Sequence, residues 1–223
     1  MRCVVFDLDG TLVNTLEDIR AAINYAIVAF EGNAIGDEEC RRYIGHGLRN
    51  ALSRAALEHG AKIQDESDFA NCYLLMMEYY KRHAVVLSKP YDGIISLLES
   101  LKAKGYKLAV LSNKRDELIK EIVKELFGEN LFDYVLGATD SLPLKPDPRA
   151  LCSVLENLKC SKEDAVYIGD SEVDYKTAQS ASVPYIIVSY GFRTKEELKS
   201  AKIDSMDHIP SVLNIEKCFE KEA

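Results

Sequence analysis

No stretch of this sequence approaches the roughly 20 consecutive apolar residues that a membrane-spanning helix needs. No segment is of low complexity, and no repeat recurs along the chain. Basic charge is in deficit: 28 Lys and Arg stand against 36 Asp and Glu, a formal charge of −8. Such a balance is poorly suited to nucleic acid or to an anionic membrane surface, so neither is expected as a partner. None of the six cysteines (Cys3, Cys40, Cys72, Cys152, Cys160 and Cys218) forms a CxxC pair, which argues against a structural zinc site. At the N-terminus, Asp7 and Asp9 arrive before an apolar segment can develop, so no signal-peptide pattern is read. These absences predict a cytoplasmic protein with reduced, mostly buried thiols.

What remains is a chain of 223 residues, 47% apolar and 29% charged. It is long enough for one large domain, or for a core with a smaller insert. Five short β-like runs stand out: CVVF (3–6), KLAVLS (107–112), YVLG (134–137), AVYIG (165–169) and YIIVS (185–189). None alternates cleanly, as expected of strands covered on both faces. Helical patterns lie between the later runs. Ile95, Leu98 and Leu101 share a face over 92–104, with Gly105 as the stop. Leu118, Ile119, Ile122, Val123 and Leu126 do so over 114–127. Leu151, Val154, Leu155 and Leu158 do so over 148–158, with Asp147 as N-cap and Pro148 at the first helical position. Alternating strands and helices predict an α/β fold, a Rossmann-like parallel sheet with helices on both faces.

One interval breaks the alternation. Between Thr15 and Lys89 there are helical patterns and no convincing strand. Leu16, Ile19, Ile23, Ala26 and Phe30 form one stripe, and Thr15 with Asp18 resembles a capping box. Shorter helices are expected at 38–43, 48–59 and 67–83, with the turn Gly45-His46-Gly47 between the first two. So many helical residues exceed a single crossover. Residues 15–89 are therefore expected to form an inserted helical cap, and residues 1–14 with 90–223 the core.

Polar residues suited to one reaction sit at four strand ends. The first strand ends in Asp7-Leu8-Asp9, whose alternate residues point the same way. Two such carboxylates repel unless they share a cation, and a hard ion such as Mg²⁺ suits oxygen ligands. The second strand ends in Ser112-Asn113, a hydroxyl and amide able to hold a phosphoryl oxygen. The loop after the third carries Lys145 in Lys145-Pro146-Asp147-Pro148, and the fourth ends in Gly169-Asp170-Ser171-Glu172-Val173-Asp174. Alone, each motif reads as a cap or a turn. Their recurrence at successive strand ends reads as a catalytic site.

The joint pattern of DxDGT at Asp7–Thr11, LSNK around Ser112, KPDP with Lys145, and GDSxxD at Asp170–Asp174 resembles the haloacid dehalogenase superfamily of phosphatases with a helical cap. Cap segment YIGHGLRN, PYDGI and SYGFRT look most like the phosphoglycolate phosphatase-type members; Asn14 departs from the Asp that many relatives carry there. The resemblance implies hydrolysis of a small phosphorylated metabolite through an aspartyl phosphate. In it Asp7 is the nucleophile and Asp9 the general acid and base. Ser112 and Lys145 hold the phosphoryl group, aided by Thr11 and Asn113. Mg²⁺ is held by Asp7, Asp9 and Asp170, with Asp174 in support. From the cap, His46, Gly47 and Arg49 are candidates to read the substrate. A phosphosugar mutase, a pyrophosphatase or a nucleotidase would use the same motifs. A non-catalytic phosphate-binding protein is disfavoured because the set is intact. Oligomeric state is not legible in the sequence.

Overall fold

The computed structural model describes residues 2–201, 203, 208–209, 211–212, 214–215 and 218. The chain divides into two compact units, Met1–Asn14 with Pro90–Ala223, and Thr15–Lys89. It begins with β1 (Cys3–Phe6) and the two-residue strand β2 (Val13–Asn14). Four helices follow: α1 (Leu16–Ala29), α2 (Asp37–Tyr43), α3 (Leu48–Glu58) and α4 (Glu66–His83). The chain then runs through β3 (Lys89–Pro90), α5 (Ile94–Ala103), β4 (Lys107–Arg115), α6 (Asp116–Phe127) and β5 (Tyr134–Ala138). It continues through α7 (Arg149–Leu158), β6 (Ala165–Gly169), α8 (Glu172–Ala181), β7 (Tyr185–Val188), α9 (Lys195–Ser200) and β8 (His208–Ile209).

Six strands form one parallel sheet in the order β5-β4-β1-β6-β7-β8. All four residues of β1 are buried, because a central strand of a parallel sheet is covered on both faces. Phe6 lies beside Val110 on one side and Ile168 on the other, so β1 and β6 end at nearly the same level while β4 runs on beyond them. From β1 the chain moves outward through β4 and β5, then resumes on the opposite side with β6. That reversal places the end of β1 at a topological switch point, where open α/β sheets open a crevice. Helix α7 packs Leu151, Val154, Leu155 and Leu158 against the sheet. Burying each such leucine is worth about 1.5–3 kcal/mol.

Several local expectations are corrected. Strand β4 does not stop at Ser112. Its register on β5 shifts between Leu111 and Arg115, and it continues to Arg115, which takes the N-cap position of α6 without a side-chain cap. Ser112-Asn113 is therefore strand, not cap. At α7 the cap falls on Pro148, and the Asp147 carboxylate accepts from Arg149 N–H at 3.0 Å. In α5 the buried stripe is Ile94, Leu97, Leu98 and Leu101, and Ile95 is exposed. Helices α8 and α9 and strand β8 escaped the sequence reading. Among its buried positions α8 has only Val173, Ala178 and Ala181 as apolar residues, too few for a clear stripe. Nor are all thiols reduced: Cys3 and Cys160 are disulfide-bonded, because the turn after α7 returns to the start of β6, beside the start of β1. Cys40 and Cys72 are buried free thiols, as expected. Among the described residues no helix is long and apolar enough to cross a membrane.

Within the helical unit, the expected Thr15–Asp18 capping box does not form. Thr15 occupies the cap position, and its side chain makes no capping hydrogen bond. The buried Asp18 carboxylate instead accepts from Leu87 N–H at 3.0 Å, Ser88 N–H at 2.8 Å and the Ser88 hydroxyl at 2.7 Å. Asp18→Ala would leave the two Ser88 donors buried and unpaired and the Leu87 N–H without its partner, so it is expected to destabilise the helical unit by about 2–4 kcal/mol. Ser88→Ala removes only one donor and should cost about 1 kcal/mol. Urea denaturation followed by helical circular dichroism measures both.

Candidate active site

Asp7 follows directly on Phe6, and its N–H donates to Ile168 O at 2.8 Å, so strand pairing fixes its backbone. Its carboxylate meets the Lys145 ammonium, Nζ to Oδ1, at 2.8 Å. The same ammonium donates to Asp174 Oδ1 at 2.7 Å and to the Tyr167 hydroxyl at 2.9 Å. An ammonium has three N–H donors; these three acceptors are its short contacts, and Leu111 O lies farther off at 3.4 Å. Tyr167 O–H in turn donates to Asp174 Oδ1 at 2.9 Å. Lys145 and Asp174 are buried, and Tyr167 is fully buried on β6. Tyr167 was not singled out from the sequence, where it reads as one more apolar position of AVYIG.

Electrostatics separate these groups. Burial, then the nearby Asp174, Asp170 and Asp9 carboxylates, push Asp7 well above the usual carboxylate range, against the pull of Lys145. Burial would raise Asp174 too, but Lys145, Ser171 and Tyr167 outweigh it and hold that carboxyl low. Burial disfavours the Lys145 charge, yet Asp174 and Asp7 keep it protonated and raise its pKa well above the normal value.

Asp9 has a different partner. Lys114 Nζ pairs with Asp9 Oδ1 at 2.6 Å, and the Lys114 side chain is only 1% exposed. Sequence reading missed this residue. The signal was present: Ser112 and Lys114 are alternate residues of an extended segment and so share a face. Both are buried, whereas Asn113 between them is partly exposed and Arg115 is exposed.

Asp170 and Asp174 are set by the turn into α8. Ser171 and Asp174 form a capping box, Ser171 N–H donating to Asp174 Oδ2 at 3.2 Å and Asp174 N–H to Ser171 Oγ at 3.3 Å. Asp174 is thus both a helix cap and a partner of Lys145. Gly169 is required here, since a Cβ would run into the Asp174 side chain. Asp170 Oδ2 accepts from Phe192 N–H at 2.7 Å, which seats the Tyr190–Arg193 loop on the site. A Cβ on Gly191 would collide with Gly10 O and with Asp170.

The family model described as haloacid dehalogenase-like hydrolase matches residues 4–188. The chain belongs to that family. Phosphoglycolate phosphatase 1 of Pseudomonas aeruginosa is 33% identical over 213 residues, covering 92% of this chain and 77% of the relative. The phosphoglycolate phosphatase of Aquifex aeolicus is 32% identical over 192 residues, covering 86% of each. A crystal structure from Lactobacillus delbrueckii subsp. bulgaricus, described as a candidate phosphoglycolate phosphatase, superposes with a TM-score of 0.88 at 28% identity over 97% of both chains.

In this hydrolase the remaining expected site residues are placed unevenly. Ser112 is buried, and its Oγ accepts from Lys114 N–H at 3.2 Å. Asn113, expected to touch substrate, is spent otherwise: its Nδ2 donates to Lys145 O at 3.0 Å and its Oδ1 accepts from Lys145 N–H at 2.8 Å. It holds the lysine's backbone in place. The Thr11 hydroxyl is fully buried without a partner among the described residues, and Thr11 O accepts from the Tyr190 hydroxyl at 3.0 Å. Within the helical unit His46 is exposed, and Gly47 adopts φ 85°, a left-handed geometry that favours glycine. Arg49 is paired with Glu66 and lies over the Phe69 ring at 4.6 Å and the Tyr73 ring at 5.5 Å.

The hydrolase also offers a cation site. Asp7, Asp170 and Asp174 each present a carboxylate oxygen, all within 4.8 Å of one another. Burial, then the Asp174 charge, raise Asp170 to about 7. Buried carboxylates so crowded fit a hard divalent cation. The sign of the pH effect follows. Without a cation, folded Asp170 retains its proton up to about pH 7, whereas the unfolded chain releases it near 4. A cation binds the ionised form, so protons compete with it below that value. Saturating Mg²⁺ is therefore expected to raise the melting temperature of chelator-treated protein by roughly 5–10 °C near pH 7.5. Near pH 5.5 the rise should be clearly smaller, as differential scanning fluorimetry with and without EDTA would show.

Proposed function

We propose that this chain is a phosphoric monoester hydrolase that works through an aspartyl phosphate and acts on a small phosphorylated carboxylate such as phosphoglycolate. The observation that carries the reading is the division of the DxD pair. Asp7 shares the ammonium of Lys145, while Asp9, two residues on, is paired with Lys114. Two carboxylates of one motif thus hold different environments, which suits them to different tasks.

In the proposed reaction an Asp7 carboxylate oxygen bonds to phosphorus as the bond from phosphorus to the ester oxygen breaks. Asp9 gives its proton to the departing alkoxide, which leaves as the alcohol. Asp9 then takes a proton from water as that water's oxygen attacks phosphorus. The Asp7–phosphorus bond breaks and inorganic phosphate is released. Ser112 and Lys145 hold the phosphoryl oxygens, and Asn113 keeps Lys145 in position. The proposed cation is Mg²⁺, held by the Asp7 and Asp170 carboxylates and the Asp9 backbone carbonyl, with Asp174 in support. Bound there, it supplies the positive charge without which this acidic cluster would repel a phosphate ester.

Substrate choice by the helical unit belongs to the same proposal, with His46, Gly47 and Arg49 as its reading residues. The names of the relatives favour a carboxylated substrate. A cytoplasmic location is also proposed; in that reducing compartment Cys3 and Cys160 would stand as neighbouring thiols.

Phosphate release from a panel of phosphoglycolate, sugar phosphates, nucleotides and pyrophosphate tests the reading. Phosphoglycolate is expected to give the highest kcat/KM. Formation of an isomeric sugar phosphate without free phosphate would indicate a mutase instead. Asp7→Asn should lower turnover at least about 10³-fold with the fold intact. Arg49→Ala should raise KM about tenfold for phosphoglycolate, the loss of a charge-assisted contact worth about 1.4 kcal/mol. It should change KM little for an aryl phosphate that lacks a carboxylate.

A further inference from the structure

We infer that Lys114 is a positioning residue for the general acid, holding the Asp9 carboxylate where it can meet the leaving oxygen; this rests on the hydrolysis proposed above. The two lysines of the site divide the DxD motif between them. Lys145 donates to Asp7, Asp174 and Tyr167. The ion pair on Asp9 comes from β4 instead, through Lys114 Nζ at 2.6 Å. Lys114 reaches that place because β4 runs on past Ser112 to Arg115, which turns residues 112 and 114 to one face. Burial leaves the ammonium almost no contact with water, with 1% of the side chain exposed against 12% for Asp9. The lysine cannot fall back on solvent, so losing Asp9 would leave its charge buried and unpaired, and that cost holds the pair together.

The consequence is directional. Asp9 Oδ1 is bound to the lysine, which anchors the carboxylate through that oxygen. The carboxylate cannot swing away while the ester bond to phosphorus breaks and the proton passes from Asp9 to the alkoxide. Lys114 itself neither gains nor loses a proton in this step.

Leaving-group dependence tests the assignment. A weakly basic leaving group departs without a proton, whereas a strongly basic one needs the acid. The substrates are a series of substituted phenyl phosphates, from p-nitrophenyl to p-methoxyphenyl, with ethyl phosphate at the basic end. None carries a carboxylate, so any part Lys114 plays in reading a carboxylate does not enter. The value kcat/KM reports steps up to transfer of the phosphoryl group to Asp7.

In Lys114→Met, kcat/KM is expected to fall at least about tenfold further for ethyl phosphate than for p-nitrophenyl phosphate, steepening the leaving-group plot. Lys114→Arg keeps a cation beside Asp9 and should hold that ratio within about threefold of wild type. Equal losses across the series in Lys114→Met, or no loss, overturn the assignment. If the methionine variant does not fold, Lys114→Gln keeps a polar donor and gives the same comparison.

Failure of the hydrolysis reading would show in the wild-type enzyme alone, as no phosphate release from any ester. Crystal structures of wild type and Lys114→Gln then decide the positioning separately. A displaced or disordered Asp9 carboxylate in the variant supports it, and an unmoved one overturns it.

Discussion

The Lys145 ammonium is the group on which the rest of the site depends. It is buried, and a lone buried ammonium would be strongly disfavoured. Asp7, Asp174 and Tyr167 together accept its hydrogen bonds and balance its charge. The constraint runs outward through each partner. Asp7 must end β1, Tyr167 must face the same way from the neighbouring β6, and Asp174 must close the first turn of α8. Asn113 fixes the lysine's backbone from β4. Four elements therefore converge on one lysine, and the parallel sheet must bring them together at one edge.

Close packing around that centre explains the glycines better than turn geometry does. Gly169 is small because Asp174 occupies the space of its side chain, and Gly191 because Gly10 and Asp170 do. Those contacts bring carboxylates to within 4.8 Å of one another. The repulsion that follows is what makes the cluster a candidate cation site. The acidity of the whole chain, which disfavours anionic partners, is locally answered by Lys145, Lys114 and the cation that the carboxylates fit.

The helical unit shows a parallel economy on a smaller scale. Asp18, which the sequence offers as a capping residue of its own helix, is recruited by Leu87 and Ser88 far along the chain. Thr15 is left at the cap position without a side-chain capping bond. Here a local rule was outcompeted by a partner that only the fold brings near.

The sequence by itself determined the alternation of strands and helices, the inserted helices and the strand-end motifs of the core. These follow from apolar periodicity and from short-range spacing, which any reader of the chain can count. The carboxylates of Asp7, Asp9, Asp170 and Asp174 were legible because a motif keeps its chemistry within a few residues. Only the tertiary structure decided how they are partnered. The choice of Lys114 for Asp9 depends on how far β4 continues before α6, and that is set by its register on β5. Tyr167 took its place beside Lys145 because β6 lies next to β1. The pairing of Cys3 with Cys160 spans 157 residues of separation. Each of these joins elements distant in sequence, and their meeting is fixed by sheet order and burial, which no local pattern encodes.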